Sequence, residues 1–153
     1  MTPHDAQATV PGRQARPVMT IGTLARRTGV PVKTLREYED LGLIYTVGRS
    51  PGNYRLFGEE ALWCVGVVGT LRGLGLTLSE IQQLATTYLG GTGEPVGPRL
   101  ARTLDAVRAR TRARIGELQA LLARISEYET GHADELSGRT DFRTHDPRFG
   151  DRP

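Results

Sequence analysis

Lys33, Thr34 and Arg36 crowd into one short segment, and Arg49, Tyr54 and Arg55 follow shortly after it. Cations, a hydroxyl and a phenol are hydrogen-bond donors, and they suit phosphate oxygens and the base edges exposed in a major groove. No motif combines a nucleophile, a base and oxyanion donors, so turnover chemistry is not expected. Cys64 is the chain's 1 cysteine, which excludes an intramolecular disulfide framework. The formal net charge is only +3 over 153 residues, and the basic excess is local. Residues 18–57 hold six Lys/Arg against three Asp/Glu, whereas residues 131–153 hold four against five. A modest patch of this kind fits a dimeric reader of DNA sequence better than a protein that coats nucleic acid without preference.

The elements that must carry these donors are legible around them. Ile21 to Glu39 reads as two short amphipathic helices broken by a tight turn at Gly29, a helix-turn-helix. Thr20 can cap the first helix, which places Ile21, Leu24 and Ala25 on one face. Pro31, whose missing N–H is harmless in a first turn, can open the second. Leu35 then points inward and leaves Lys33, Thr34 and Arg36 on the solvent side. Gly42 ends that helix, and Ile44 to Phe57 reads as a hairpin of two short strands with Arg49-Ser-Pro-Gly52-Asn at its tip. Such a hairpin is a wing, and it sets Arg49, Tyr54 and Arg55 beside the reading helix. A third helix is expected from Gly58-Glu-Glu-Ala through Trp63, Val65, Val68, Leu71 and Leu74, with Glu59 and Glu60 at its positive end. Thr77-Leu-Ser-Glu80 is a capping box for a fourth, which should turn Leu78, Ile81, Leu84, Ala85 and Tyr88 inward before Gly90-Gly91 stops it.

Three spaced motifs in this order, Thr34-Leu-Arg36-x-Tyr38-Glu39-x-x-Gly42-Leu43, then Asn53-Tyr54-Arg55, then Leu74-Gly75-x-x-Leu78-x-Glu80-Ile81, resemble the MerR family of transcription regulators. The resemblance covers residues 20–89 directly and extends to about residue 130 with the helix that follows. It implies a winged helix-turn-helix in which Arg49, Tyr54 and Arg55 hold the sugar-phosphate backbone. It also implies a homodimer on a pseudo-palindrome between promoter elements, acting on RNA polymerase by distorting double-stranded DNA. Tyr38 fits either a phosphate contact through its hydroxyl or an aromatic support for Leu43 and Leu24. Arg36 has a plainer alternative too, an exposed pair with Asp40 one turn on. One departure stands out: the family carries Tyr or Phe after the recognition-helix arginine, and here the residue is Glu37. A carboxylate there can accept from a cytosine amino group, pair with Lys33, or turn away from DNA.

Residues 98–130 contain no internal proline and read as one long helix, with Gly116 its interior glycine. Leu104, Thr111, Leu118 and Ile125 form one seven-residue series; Leu100, Val107, Arg114, Leu121 and Tyr128 form the other. Such a stripe calls for a partner helix, and its alternative is to fold back on its own domain. The resemblance favours an antiparallel coiled coil, with Leu100, Leu104, Val107, Leu118, Leu121 and Ile125 as the dimerisation seam. Arg108, Arg110, Arg112 and Arg114 read as a solvated or seam-flanking set.

The expected fold is therefore mainly α, a winged helix-turn-helix with a small β-hairpin followed by a long dimerisation helix. Its layout is a flexible leader (1–17), the winged domain (18–90), a linker (91–97), the dimerisation helix (98–130) and a flexible tail (131–153), with no separate ligand-binding domain. No cofactor is expected. Metal-sensing members of the family carry cysteines near the end of the long helix, and none follows Cys64 here; His132, Asp134, Glu135 and His145 remain in the tail. Cys64 reads as a small packed hydrophobe. What is sensed stays open between a small organic effector, a partner protein and no ligand. No apolar run approaches the ~20 residues a bilayer span needs, and no signal-peptide core is legible, so a cytoplasmic protein is expected. The rival reading is an architectural or excisionase-like DNA-bending protein, which has no need of the long helix.

Overall fold

A computed structural model of the chain describes residues 17–91 and 93–150. The expected leader thus lies outside the described residues, apart from Pro17, as do the last three residues of the tail. Residues up to Leu104 form one compact unit and residues from Asp105 another.

In the first unit, β1 (Met19–Thr20) leads directly into α1 (Ile21–Thr28). Thr20 caps α1 as its composition requires, its Oγ1 accepting from the Thr23 N–H at 3.3 Å. The helix ends at Gly29, whose φ of 72° is open to glycine at little cost and whose N–H donates to the Ala25 carbonyl at 2.9 Å. The Thr28 hydroxyl shapes the same turn, donating to the Leu24 carbonyl and accepting from the Val30 N–H. Pro31 then stands at the cap position of α2 (Val32–Asp40). Leu24 and Leu35 are fully buried, so the two helices meet through the faces their periodicity assigns.

The wing is shorter than the expected hairpin and gains a third strand. β2 (Gly48–Arg49) and β3 (Arg55–Phe57) are antiparallel, with Gly48 opposite Leu56 and Arg49 opposite Arg55. β1 pairs along the other edge of β3, Met19 opposite Phe57, giving the order β1-β3-β2. Two residues show no alternation to read, so this strand is invisible until β3 offers it a ladder. Ile44, expected within the hairpin, is instead a buried core residue ahead of it.

α3 (Glu59–Gly73) and α4 (Leu78–Leu89) complete the unit's support. The capping box forms as expected: Thr77 N–H donates to Glu80 Oε1 at 2.9 Å and Glu80 N–H to Thr77 Oγ1 at 3.1 Å. Phe57, Leu24, Leu35, Ile44 and Leu76 are the largest fully buried side chains, each contributing about 1.5–3 kcal/mol by leaving water. Gln82 Nε2 donates to the Leu41 carbonyl at 3.1 Å, tying α4 to the turn after the reading helix. Three apolar residues depart from expectation: Tyr88 is 63% exposed, Trp63 62% and Leu74 54%. Tyr88 lies in the last turn of α4.

α5 (Val96–Gly131) is a single helix of 36 residues, begun two residues earlier than the periodicity indicates. Arg99 Nη1 donates to Thr87 Oγ1 at 2.8 Å, fastening its start to α4. In the second unit the tail is more ordered than its composition suggests. α6 (Ala133–Leu136) and a 3-10 turn (Phe142–His145) follow α5. His132 stacks on Tyr128 with ring centroids 4.0 Å apart and lies 5.8 Å from Phe142. Asp141 and Asp146 each accept from a backbone N–H two residues on, the local turn chemistry that lets a polar segment hold shape. Among the described residues, no helix is long and apolar enough to cross a membrane.

Candidate nucleic-acid interface

Lys33, Arg36, Glu37 and Asp40 recur at the spacing of one face of α2, and all four are exposed. Thr34 is half-buried, further from solvent than its place beside Lys33 suggests. Among the described residues neither Lys33 nor Arg36 makes a side-chain hydrogen bond or ion pair, so the pairings with Glu37 and Asp40 at i,i+4 do not form. The face is polarised along its length, with its cations in the first two turns and its carboxylates beyond. Glu37 shares the stripe with the two cations.

Tyr38 packs its ring inward, at 7% exposure, against the core that holds Leu43. Among the described residues its hydroxyl finds no partner and no unpartnered side-chain oxygen is buried, so the oxygen reaches the surface. Both readings of this residue are thus geometrically compatible: the ring supports the core while the hydroxyl remains free to donate.

The wing is tied to the reading helix by a contact that sequence reasoning missed. Arg55 Nη1 stands 2.8 Å from Glu39 Oε1, an ion pair between β3 and α2 in which the carboxylate side chain is only 18% exposed. Glu39 was legible as a motif residue, but nothing in the spacing of residues 39 and 55 announces that they meet. At the tip, Ser50 N–H donates to the Tyr54 carbonyl at 2.8 Å, and Tyr54 N–H donates to Ser50 Oγ at 3.0 Å. Asn53 sits at φ 65°, a conformation asparagine tolerates. Arg49 Nη1 lies 3.3 Å from the Asn53 carbonyl and 3.4 Å from its Oδ1. These two long contacts leave most of the five guanidinium donors unused. Tyr54 is 70% exposed. Lys33, Arg36, Arg49, Tyr54 and Arg55 are therefore all solvent-facing donors within the same unit, on a helix and a wing joined by the Arg55–Glu39 bridge.

The residues assigned to the seam divide between the units. Leu100 and Leu104 are half-buried in the first, while Val107, at the start of the second, is 7% exposed. Leu118, Leu121 and Ile125 are 43%, 43% and 46% exposed, and Ile115, Leu122 and Tyr128 widen the same uncovered stripe. Arg108 and Arg114 pair within the helix, with Asp105 at 2.7 Å and Glu117 at 3.0 Å. Pairs this exposed contribute a few tenths of a kcal/mol. Cys64 is half-buried, and burial, with the negative charge of Glu60 second, pushes its thiol pKa up. Among the described residues, no three His, Cys, Asp or Glu side chains gather as a metal site would require. His145 instead lies 3.4 Å from Glu135.

Comparison with known proteins bears directly on this surface. A family model described as MerR HTH family regulatory protein matches residues 19–87, and one described as MerR, DNA binding matches residues 65–128. The HTH-type transcriptional regulator ZntR homolog of Haemophilus influenzae is 35% identical over 109 residues, 71% of this chain and 79% of that protein. Nodulation protein NolA of Bradyrhizobium diazoefficiens is 34% identical over 124 residues, but the match spans 52% of its length, so that relative is much the longer. Among solved structures, the transcription regulator PbrR691 from Ralstonia metallidurans, crystallised with lead(II), superposes with a TM-score of 0.62. It is 32% identical, over 71% of this chain and 84% of that one.

Proposed function

This chain belongs to the MerR family of transcription regulators, and from that premise we propose that it acts as a homodimer on a pseudo-palindromic operator between two promoter elements. One observation carries the reading: Lys33 and Arg36 stand exposed and unpaired on α2, and the wing that flanks them is bridged to the same helix through Arg55 and Glu39. Arg36 is assigned to base edges, where a guanidinium meets guanine O6 and N7. Lys33, Thr34, Tyr38, Arg49, Tyr54 and Arg55 are assigned mainly to the backbone, which positions the protein without reading sequence. One small module recognises a half-site weakly, so a second copy must supply the rest. The uncovered stripe of Leu118, Leu121 and Ile125 supports that second copy, because exposed apolar residues at heptad spacing gain stability by pairing. The relatives above are regulators, which favours this reading over an excisionase-like one.

The proposed action is on DNA shape. Bending a site of this size costs of order 1–6 kcal/mol, so a small change in dimer geometry suffices to switch access by RNA polymerase. The protein then acts at a promoter whose elements lie too far apart, and deleting one or two base pairs of the spacer makes transcription independent of it. In vitro transcription from paired templates checks this. A shortened promoter that still requires the protein assigns it to recruitment or occlusion instead.

A further inference from the structure

The winged-helix unit contains a cavity that DNA binding does not use. It lies among α3, α4 and the first turn of α5, has a volume of about 320 Å³, and all of its walls precede Leu104. Val68 and Leu84 are buried at its floor, whereas Tyr45, Trp63 and Tyr88 stand around it at 53%, 62% and 63% exposure. Large aromatic side chains left this open beside an apolar hollow are the pattern of a binding site rather than of a finished core.

We propose that this cavity binds a neutral aromatic molecule of two or three rings. Size is the first argument: an apolar cavity of roughly 150 Å³ holds benzene, so about twice that volume suits about twice the ring system. The three aromatic walls offer edges and faces for offset stacking. Charge is the second argument. Glu60 is the one charged residue on the walls, and no Lys or Arg joins it. Its field reaches inside, since it adds to the burial that pushes the Cys64 thiol up. An anionic ligand gives up its hydration to walls on which no Lys or Arg is found among the described residues. A cation loses its hydration to a lining that is overwhelmingly apolar, and Glu60 already has a partner in the chain. An occupant touches Leu43, just after the reading helix, and Leu100 at the root of α5. The inference goes beyond the DNA-binding reading and does not rest on it.

Trp63 is the chain's 1 tryptophan, so emission excited at the red edge of the indole band, where the tyrosines do not absorb, comes from a side chain on the cavity wall. The test titrates the full chain with N-phenyl-1-naphthylamine, a neutral dye that accepts energy from tryptophan, and with 8-anilinonaphthalene-1-sulfonate, the same rings bearing an anion. The expected result is saturable quenching of Trp63 at about one neutral dye per chain, with the sulfonate about tenfold weaker or more. Ala85→Phe and Val67→Phe, which fill the cavity from α4 and α3, should each weaken the neutral dye about tenfold while circular dichroism shows an unchanged fold. Equal or tighter binding of the sulfonate, or dye binding indifferent to both fillings, overturns the proposal in favour of nonspecific adsorption to exposed apolar surface. Dye that binds only to a monomeric variant carrying Leu118→Asp and Leu121→Asp overturns it too, because a second copy then covers the hollow. Mobility shift on operator DNA with the same wild-type preparation separates the two readings: intact DNA binding without dye binding sinks the cavity alone, and the converse sinks the function alone.

Discussion

Arg36 and Arg55 are both exposed arginines, on and beside the same helix, and the proposed function gives them different work. Arg36 has no partner among the described residues, whereas Arg55 is already held by Glu39 at 2.8 Å. Arg36→Ala should cost about 1–3 kcal/mol on operator DNA and relax preference within the half-site. Arg55→Ala should weaken all sequences alike and reduce the salt slope by about one. Equal losses on operator and random DNA for Arg36→Ala would reassign it to phosphate. Cys64 provides a second test. Its pKa is raised by burial and by Glu60, so at neutral pH the folded chain holds less thiolate than a free cysteine does. Iodoacetamide should therefore label the native protein more slowly than the unfolded chain, and the gap should persist until the pH passes the ordinary thiol range. Faster labelling of the native state would mean that a nearby cation outweighs both causes.

Helices and turns here obey local rules closely enough that one substitution can be predicted to act with opposite signs at two sites. Gly29 closes α1 at φ 72°, and a Cβ built there meets nothing within 4 Å. Gly29→Ala should thus destabilise by backbone strain alone, roughly 1–2 kcal/mol, and loosen the turn that sets α2. Gly66 lies within α3, also with open space around an added Cβ. Gly66→Ala should stabilise by about 0.5–1 kcal/mol, since alanine is the better helix former. Urea unfolding of both variants checks the pair; a stabilised Gly29→Ala would show that the turn does not need its left-handed residue.

The molecule divides into a unit with a buried core and one whose long helix carries an uncovered apolar stripe. Residues up to Leu104 bury their apolar faces around Leu24, Leu35, Phe57 and Leu76, while Leu118, Leu121, Leu122 and Ile125 stay between 43% and 65% exposed. Leu118→Asp and Leu121→Asp should each yield monomers by light scattering and lose specific DNA binding while the winged unit keeps its helicity. Dimers from both variants would place the seam elsewhere.

Local chemistry carried most of the reading. Thr20, Gly29, the Thr77–Glu80 box and the period of α5 each act within a turn or two of chain, so their consequences are written where the residues stand. The donors on α2 and the wing were legible for the same reason, because a helix face and a hairpin tip follow from spacing. What could not be read there is whatever depends on chain segments meeting at a distance. β1 exists only because β3 presents an open edge to Met19 and Thr20, and Arg55 pairs with Glu39 only because the wing folds back beside α2. Tyr88, periodic with a buried face, is 63% exposed, since periodicity assigns a side of a helix and not how closely its neighbours pack there. The cavity among α3, α4 and α5 has no sequence signature at all, since a void is set by how whole helices are spaced, and periodicity says only which side of each helix faces inward.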